Sequence, residues 1–245
     1  MILKETERAT SQNPPQPQGS RMVRRMAQQI WFEARVALTW VHLAIPAGFA
    51  LILWGLLSGP PIFRSVRSAL VNVELLLPML AGLFVSDTMT REWAEGTADW
   101  RPAQPGGPVR LLAIRLFNTF VLWIAVAAVF LVGVHVLYLR PVELTLPLKD
   151  TIVLIGPPAL FFTGLAVLAS LIARTSLGGL IGAAGYWAFA WMTGGSYTGP
   201  FHVLYLRAPL EQWSLEATRW WLLAGGVVLL AIGGVFAAKG ERWVR

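Results

Sequence analysis

The sequence has no cysteine, so disulfides and thiolate metal sites are excluded. Charge is scarce as well. Only 13% of the 245 residues are Asp, Glu, Lys or Arg, about half of the roughly 25% usual in soluble domains. With 56% hydrophobic residues and a mean hydropathy of +0.58, the chain cannot cover itself with polar surface. Such a composition belongs to an integral membrane protein. No Gly-Lys-Ser/Thr occurs, so ATP is not bound through a Walker A loop. No His-Glu-x-x-His occurs, and His42, His135 and His202 stand far apart in sequence, so no metal centre is expected. No serine has the neighbourhood of a nucleophile with its base. The net charge of +7 does not point to nucleic acid, because the basic residues are scattered at the ends of apolar runs. Charges so placed set membrane topology.

Long apolar runs are what the chain has in plenty. Residues 1–21 precede them as a polar stretch rich in Pro, Gln and Asn, expected to be a disordered tail and not a secretory signal. From Met22 to about Arg35 apolar residues recur at near-helical spacing (Met22, Met26, Ile30, Ala34) among arginines. That pattern predicts an amphipathic helix in the membrane interface, or else an early start to the first span. Six runs follow: Val36–Leu57, Ala69–Val85, Leu116–Leu139, Ile152–Ala173, Leu177–Met192 and Trp220–Ala238. About 20 residues cross a hydrocarbon core of roughly 30 Å. The expected fold is therefore an all-α membrane protein with six transmembrane helices over residues 22–245. Between runs five and six, Phe201–Leu206 is apolar but short, with Gly199-Pro200 and Pro209 on its flanks. A re-entrant or interfacial helical hairpin is expected there.

Six spans put both termini on one side. With the N-terminus inside, Arg64, Arg67, Arg140, Lys149, Arg207 and Arg219 lie outside and the other fourteen of the 20 basic residues lie inside. The expectation is thus a multi-pass protein of the cell inner (plasma) membrane with cytoplasmic N- and C-termini. Trp100, Trp213, Trp220, Trp221 and Trp243 stand near run ends, as interfacial anchors do. Pro46, Pro78 and the Pro157-Pro158 pair fall within or at the start of runs, where proline removes a backbone donor and can kink a helix. Gly178 and Gly182 form a small-xxx-small pair that admits another helix closely.

The longest charged interruption is Ser86–Arg115, which holds Asp87, Arg91, Glu92, Glu95, Asp99, Arg101, Arg110 and Arg115. A polar segment between two membrane-length runs is a surface on which a soluble partner can dock. Thr88 and Thr90 can cap a short helix there, and Glu92 suits its first turn. Trp93 and Trp100 can anchor in a partner's pocket. Within the runs, Glu74, Asn118 and His135 are the candidate residues of a translocation path, since ionisable or polar groups are expensive inside a span. Each has a plainer reading, as a residue paired with a neighbouring helix or solvated at the interface.

Asp87-x-x-x-Arg91-Glu92-x-x-Glu95-Gly96-Thr97, followed by Pro102, Pro105 and Pro108 and then by Arg110 and Arg115, resembles the loop between spans two and three of ABC-2 type transporter permeases. Six spans, an amphipathic entry helix and a re-entrant hairpin before the last span are similar to that family too. The resemblance implies that Arg91, Glu92, Trp93, Glu95, Gly96, Thr97 and Trp100 couple the chain to an ATPase. It further implies a dimer, with a second permease subunit that is identical or related, and separate ABC ATPase subunits. Those subunits would hold ATP and magnesium, while this chain carries no cofactor, does no covalent chemistry and exports a substrate. The chain departs from many relatives at Ala98-Asp99-Trp100-Arg101, where an apolar run is more usual.

Three alternatives stand beside this expectation. The chain could be a membrane scaffold or signalling subunit of ABC-2 shape. It could be a membrane-embedded enzyme with a site at His202, Tyr205 and Glu211. A secondary transporter is disfavoured by the absence of a repeat between the halves. The apolar, aromatic path favours an amphipathic or lipid-like cargo, and membrane lipid is the expected surroundings.

Overall fold

Away from water a chain must satisfy its own backbone donors and acceptors, and a helix does so within one segment. The apolar runs fold accordingly. The computed structural model describes residues 65–88, 107–139 and 147–239, with the single residue Gln28. Helix α1 is Val66–Thr88. Helix α2 is Gly107–Gly133 and widens into a π-helical stretch, Val134–Leu139. Helix α3 is Leu148–Ala173, α4 is Ser176–Thr193 and α5 is Leu215–Lys239. Among the described residues there is no strand. Four of the helices, α1, α2, α3 and α5, are long and apolar enough to cross a membrane. The expected tail, entry helix and first span lie outside the described residues, as does most of the Ser86–Arg115 loop.

Local signals fix the helix ends. The Thr151 hydroxyl donates to the Pro147 carbonyl at 2.8 Å, and Asp150 sits in the first turn of α3, where negative charge meets the helix dipole favourably. This start lies upstream of Ile152, so Pro157 and Pro158 fall inside α3 and not in its first turns. Arg174 ends α3 in the left-handed region (φ 53°), and the Thr175 hydroxyl caps α4 by accepting the Gly178 N–H at 3.2 Å. With only two residues between them, α3 and α4 must pack side by side.

Small residues set the helix directions. A Cβ on Gly182 of α4 would lie 2.8 Å from that of Ala169 of α3, and Gly178 presses on Ala169 and Ala173. These pairs run in opposite order along the two helices, so α3 and α4 are antiparallel. Gly82 of α1 faces both Ala183 and Phe162, while Gly164 of α3 meets Gly226 of α5. Later residues follow the same sequence, with Gly233 against Val167. Helices α1, α3 and α5 therefore run one way, and α2 and α4 run the other. The core between them holds Val73, Leu77, Leu80 and Phe84 of α1 with Phe162 and Val167 of α3, all fully buried.

Candidate functional site

Pro78 sits in the interior of α1 and has no N–H to give the carbonyl of Glu74. Neighbouring helices supply donors around this break. Trp187 of α4 donates its indole N–H to the Leu75 carbonyl at 3.0 Å, and Trp123 of α2 does the same for Leu77 at 2.8 Å. Both indoles tie α1 to its neighbours next to the turn that Pro78 loosens, although neither reaches the Glu74 carbonyl itself.

The Glu74 side chain is 1% exposed and Arg219, in the second turn of α5, is 2% exposed. They form an ion pair, with Arg219 Nη2 donating to Glu74 Oε1. The other carboxylate oxygen, Oε2, accepts the backbone N–H of Leu206 at 2.9 Å. One carboxylate thus joins α1, α5 and the segment between α4 and α5. Arg219 Nε and Nη1 have no hydrogen-bond partner.

That segment, residues 194–214, differs from the expected helical hairpin. It contains one 3-10 turn, Gly199–Phe201, and otherwise turns and bends. Gly194, Gly195 and Gly199 take positive φ, and the prolines at 200 and 209 remove donors, so no helix can propagate. Gly195 is required for a second reason: a Cβ there would lie 2.7 Å from the His202 ring. The apolar part turns inward. His202, Val203 and Leu204 are fully buried, and Val203 and Leu204 pack with Phe161, Phe162, Ala183 and Leu222. Tyr186 of α4 fastens it by donating to the Phe201 carbonyl at 3.0 Å.

His202 Nδ1 is 3.4 Å from the Thr198 hydroxyl, and its Nε2 has no partner. Burial, with the positive charge of Arg219 acting in the same direction, holds its pKa below the ordinary histidine range. On the outer side of the segment, the Arg207 guanidinium lies 3.6 Å from the centre of the Trp191 ring, a cation–π contact.

Of the residues singled out in the sequence, Glu74 is at the centre of this site. Asn118 and His135 are not. Asn118 stands on α2 and His135 on the π-helical stretch that continues it, both half-buried and about 25 Å apart along the axis. Trp123 faces Leu77, which sets them to opposite sides of the level of Glu74. Gly178 and Gly182 pack against α3 of the same chain. His202 and Glu211 do not share surroundings, since the first is enclosed and the second exposed. Arg91, Glu92, Trp93, Glu95, Gly96, Thr97 and Trp100 lie outside the described residues. Among the described residues no three of His, Asp and Glu gather as a metal site would require.

Sequence reading missed Arg219, counting it as a topology charge of the outer side, and missed the inward donors Trp123 and Trp187. A signal existed for the first. Glu74 is the one acidic residue in the Ala69–Val85 run, and a charge in an apolar run needs a counter-charge.

The fold and this site define a helical bundle with four membrane-length helices, built around a buried ion pair. No family model, curated protein or solved structure matches the chain.

Proposed function

We propose that the chain is the membrane-embedded permease subunit of an ATP-binding cassette exporter of ABC-2 type, acting as a dimer with a second permease subunit and driven by separate ATPase subunits. The observation that carries this reading is the Arg91-Glu92-x-x-Glu95-Gly96-Thr97 segment and its position. Helix α1 ends at Thr88 and α2 begins at Gly107. The two are antiparallel, so the end of α1 and the start of α2 lie at the end of the bundle opposite the 194–214 segment. A charged connection at one end and an apolar, inward-folded segment at the other agree with a cytoplasmic coupling face and an outer face of the inner membrane. The distribution of Lys and Arg favours the same orientation.

On this reading Trp93 and Trp100 seat in the ATPase while Arg91, Glu92 and Glu95 pair at the rim of the contact. Gly96 and Thr97 shape the turn that follows. ATP and magnesium are held by the partner, whose closure drives the two loops together and tilts α1 and α2. The path opens between the two permease subunits. This chain supplies path and lever and forms no covalent intermediate.

The test is co-purification. Wild-type chain extracted in mild detergent from its host is expected to bring down a stoichiometric ATPase, and Glu92→Ala with Trp93→Ala is expected to lose it. Failure of the wild type to retain an ATPase would refute the reading. Substrate movement in proteoliposomes then separates an exporter from a scaffold of the same shape.

A further inference from the structure

The seat of His202 has no place for a second ring proton. The residue is fully buried, its Nδ1 is 3.4 Å from the Thr198 hydroxyl, and its Nε2 has no partner. The ring lies directly against the Gly195 backbone, where an added Cβ would come within 2.7 Å of it. Each oxygen of the Glu74 carboxylate already accepts a donor, Oε1 from Arg219 and Oε2 from the Leu206 N–H. Arg219 still has Nε and Nη1 unpartnered, so donors outnumber acceptors before any proton is added. An imidazolium here would be a second buried cation beside a carboxylate spent on the first, an arrangement that burial penalises heavily.

The ionisable groups on the surrounding elements do not relieve it. Arg219 of α5 is the side chain whose charge acts on the ring, and it repels the proton. Glu74 of α1 is engaged with Arg219. Tyr186 of α4 gives its hydroxyl to the Phe201 carbonyl. The ionisable residues of α3, Lys149 and Asp150, are exposed in its first turn, and His135 on the π-helical stretch does not act on the ring. Within the segment itself, Tyr205 bears on Arg219, and Arg207 lies outward against Trp191.

The part able to yield is the segment that carries the ring. Helices α1, α3, α4 and α5 meet through close glycine contacts, whereas residues 194–214 have one 3-10 turn and begin with Gly194, Gly195 and Gly199 at positive φ. Hydrogen bonds from Tyr186 to Phe201 and from Leu206 to Glu74 fasten it to the helices. Irregular elements held this way open at lower free energy than the whole fold. Phe201, Val203, Leu204 and Leu206 are apolar and Tyr205 is amphipathic, so the stretch has a second seat available in the membrane interface.

We propose that protonation of His202 releases the 194–214 segment from the bundle to the membrane interface and uncovers the Glu74–Arg219 pair, and that deprotonation seats it again. Burial and the Arg219 charge both favour the neutral ring in the closed state. Closure is therefore complete above about pH 6.5, the ordinary histidine value, and is lost as pH falls toward the lower value of the closed state. The switch is a property of this chain alone and does not rest on the exporter reading.

The chain has no cysteine, so a single introduced thiol reports on its own surroundings. Val203→Cys puts one beside His202 in the buried seat. Val85→Cys puts one on α1, equally buried, in a core cluster without residues of the segment. Tyr197→Cys, at a position 80% exposed, is the open reference. The full chain, purified in a nonionic detergent, is labelled with a charged maleimide from about pH 8 to about pH 5. Dividing each rate by that of Tyr197→Cys at the same pH removes the titration of the thiol itself.

Val203→Cys is expected to label at least about tenfold faster at the acid end and to regain protection at pH near 8, while Val85→Cys stays protected. With His202→Gln or His202→Asn added, Val203→Cys is expected to keep its slow rate at every pH, and Val85→Cys in the same background shows that the bundle is folded. One closed neutral variant is enough for this comparison. Protection of Val203→Cys down to about pH 5 would overturn the switch. So would a parallel rise at Val85→Cys, which would mean that the whole bundle opens. An equal acid rise in the neutral variants would assign the opening to another group. Fast labelling of both neutral variants at pH near 8 would show that the shape of the ring, not its charge, keeps the segment closed, and would overturn the switch as well.

Discussion

Trp187 on α4 and Leu75 on α1 are 112 residues apart in sequence and joined by an indole N–H···O=C bond of 3.0 Å. The bond falls one residue after Glu74, whose carbonyl is the one that Pro78 leaves without a helical donor. Replacing Trp187 by Phe keeps most of the ring packing and removes the N–H. The expected loss is about 0.5–1.5 kcal/mol, the usual net worth of one hydrogen bond, because the Leu75 carbonyl keeps its place in the helix ladder. Trp221→Phe, on the exposed face of α5, should stay within about 0.5 kcal/mol of wild type. Thermal unfolding of both variants in one detergent measures the difference.

The Glu74–Arg219 pair gives a second prediction. Truncating one partner leaves the other charge buried alone, so Glu74→Leu or Arg219→Met should each destabilise by about 3–5 kcal/mol. The double change to Leu and Met removes both charges and should recover most of that loss, because apolar residues of similar volume replace buried pairs at little cost. A double variant as unstable as the sum of the singles would mean that the two side chains act independently.

Glycines at the helix crossings are predicted to behave unequally. Gly179→Ala would drive a Cβ into Ser170 of α3 and to 2.8 Å from Ser86 of α1, for a destabilisation of about 1–3 kcal/mol. Gly185 lies on the same helix with nothing within 4 Å of its added Cβ. Gly185→Ala should stabilise α4 by about 0.5–1 kcal/mol. Equal effects at the two positions would contradict the packing of α4 between α1 and α3.

Acid sensitivity is expected to involve His202. Its pKa in the folded chain lies below the ordinary value, so the unfolded chain binds the proton more readily. The stability associated with neutral His202 is therefore fully present above about pH 6.5 and is lost as pH falls toward the lower, folded value. His202→Gln, which keeps hydrogen-bonding capacity but does not titrate, should flatten the fall in melting temperature between about pH 7 and pH 5. An unchanged slope would assign that fall to other groups.

The helices were legible because period and length are local properties. The run Ala69–Val85 became Val66–Thr88, and Trp220–Ala238 became Leu215–Lys239. Boundaries moved outward where polar residues could still join the helix, most of all at α2, which begins at Gly107 and carries Pro108 in its first turn, where a missing N–H is harmless. The site was only half legible. Glu74 stood out as a charge in an apolar run, but Arg219 is 145 residues away and sits at the head of its own run, where local pattern reads a topology charge. The 194–214 segment was misjudged for a related reason. Its apolar core could equally lie on a membrane or fold into the bundle, and only the space left by Ala166, Ala183 and Ala190 makes the second choice possible.

The glycine contacts have a mechanical consequence. Where Gly82 meets Ala183, and Gly164 meets Gly226, backbones touch with almost no side-chain layer between them. Such joints have nothing soft to shear, so α1, α3, α4 and α5 form a single stiff plank. Helix α2 adjoins α1 through larger side chains and the indole bond from Trp123. The compliant joint of the bundle is therefore the one between α1 and α2, the two helices whose ends residues 89–106 connect.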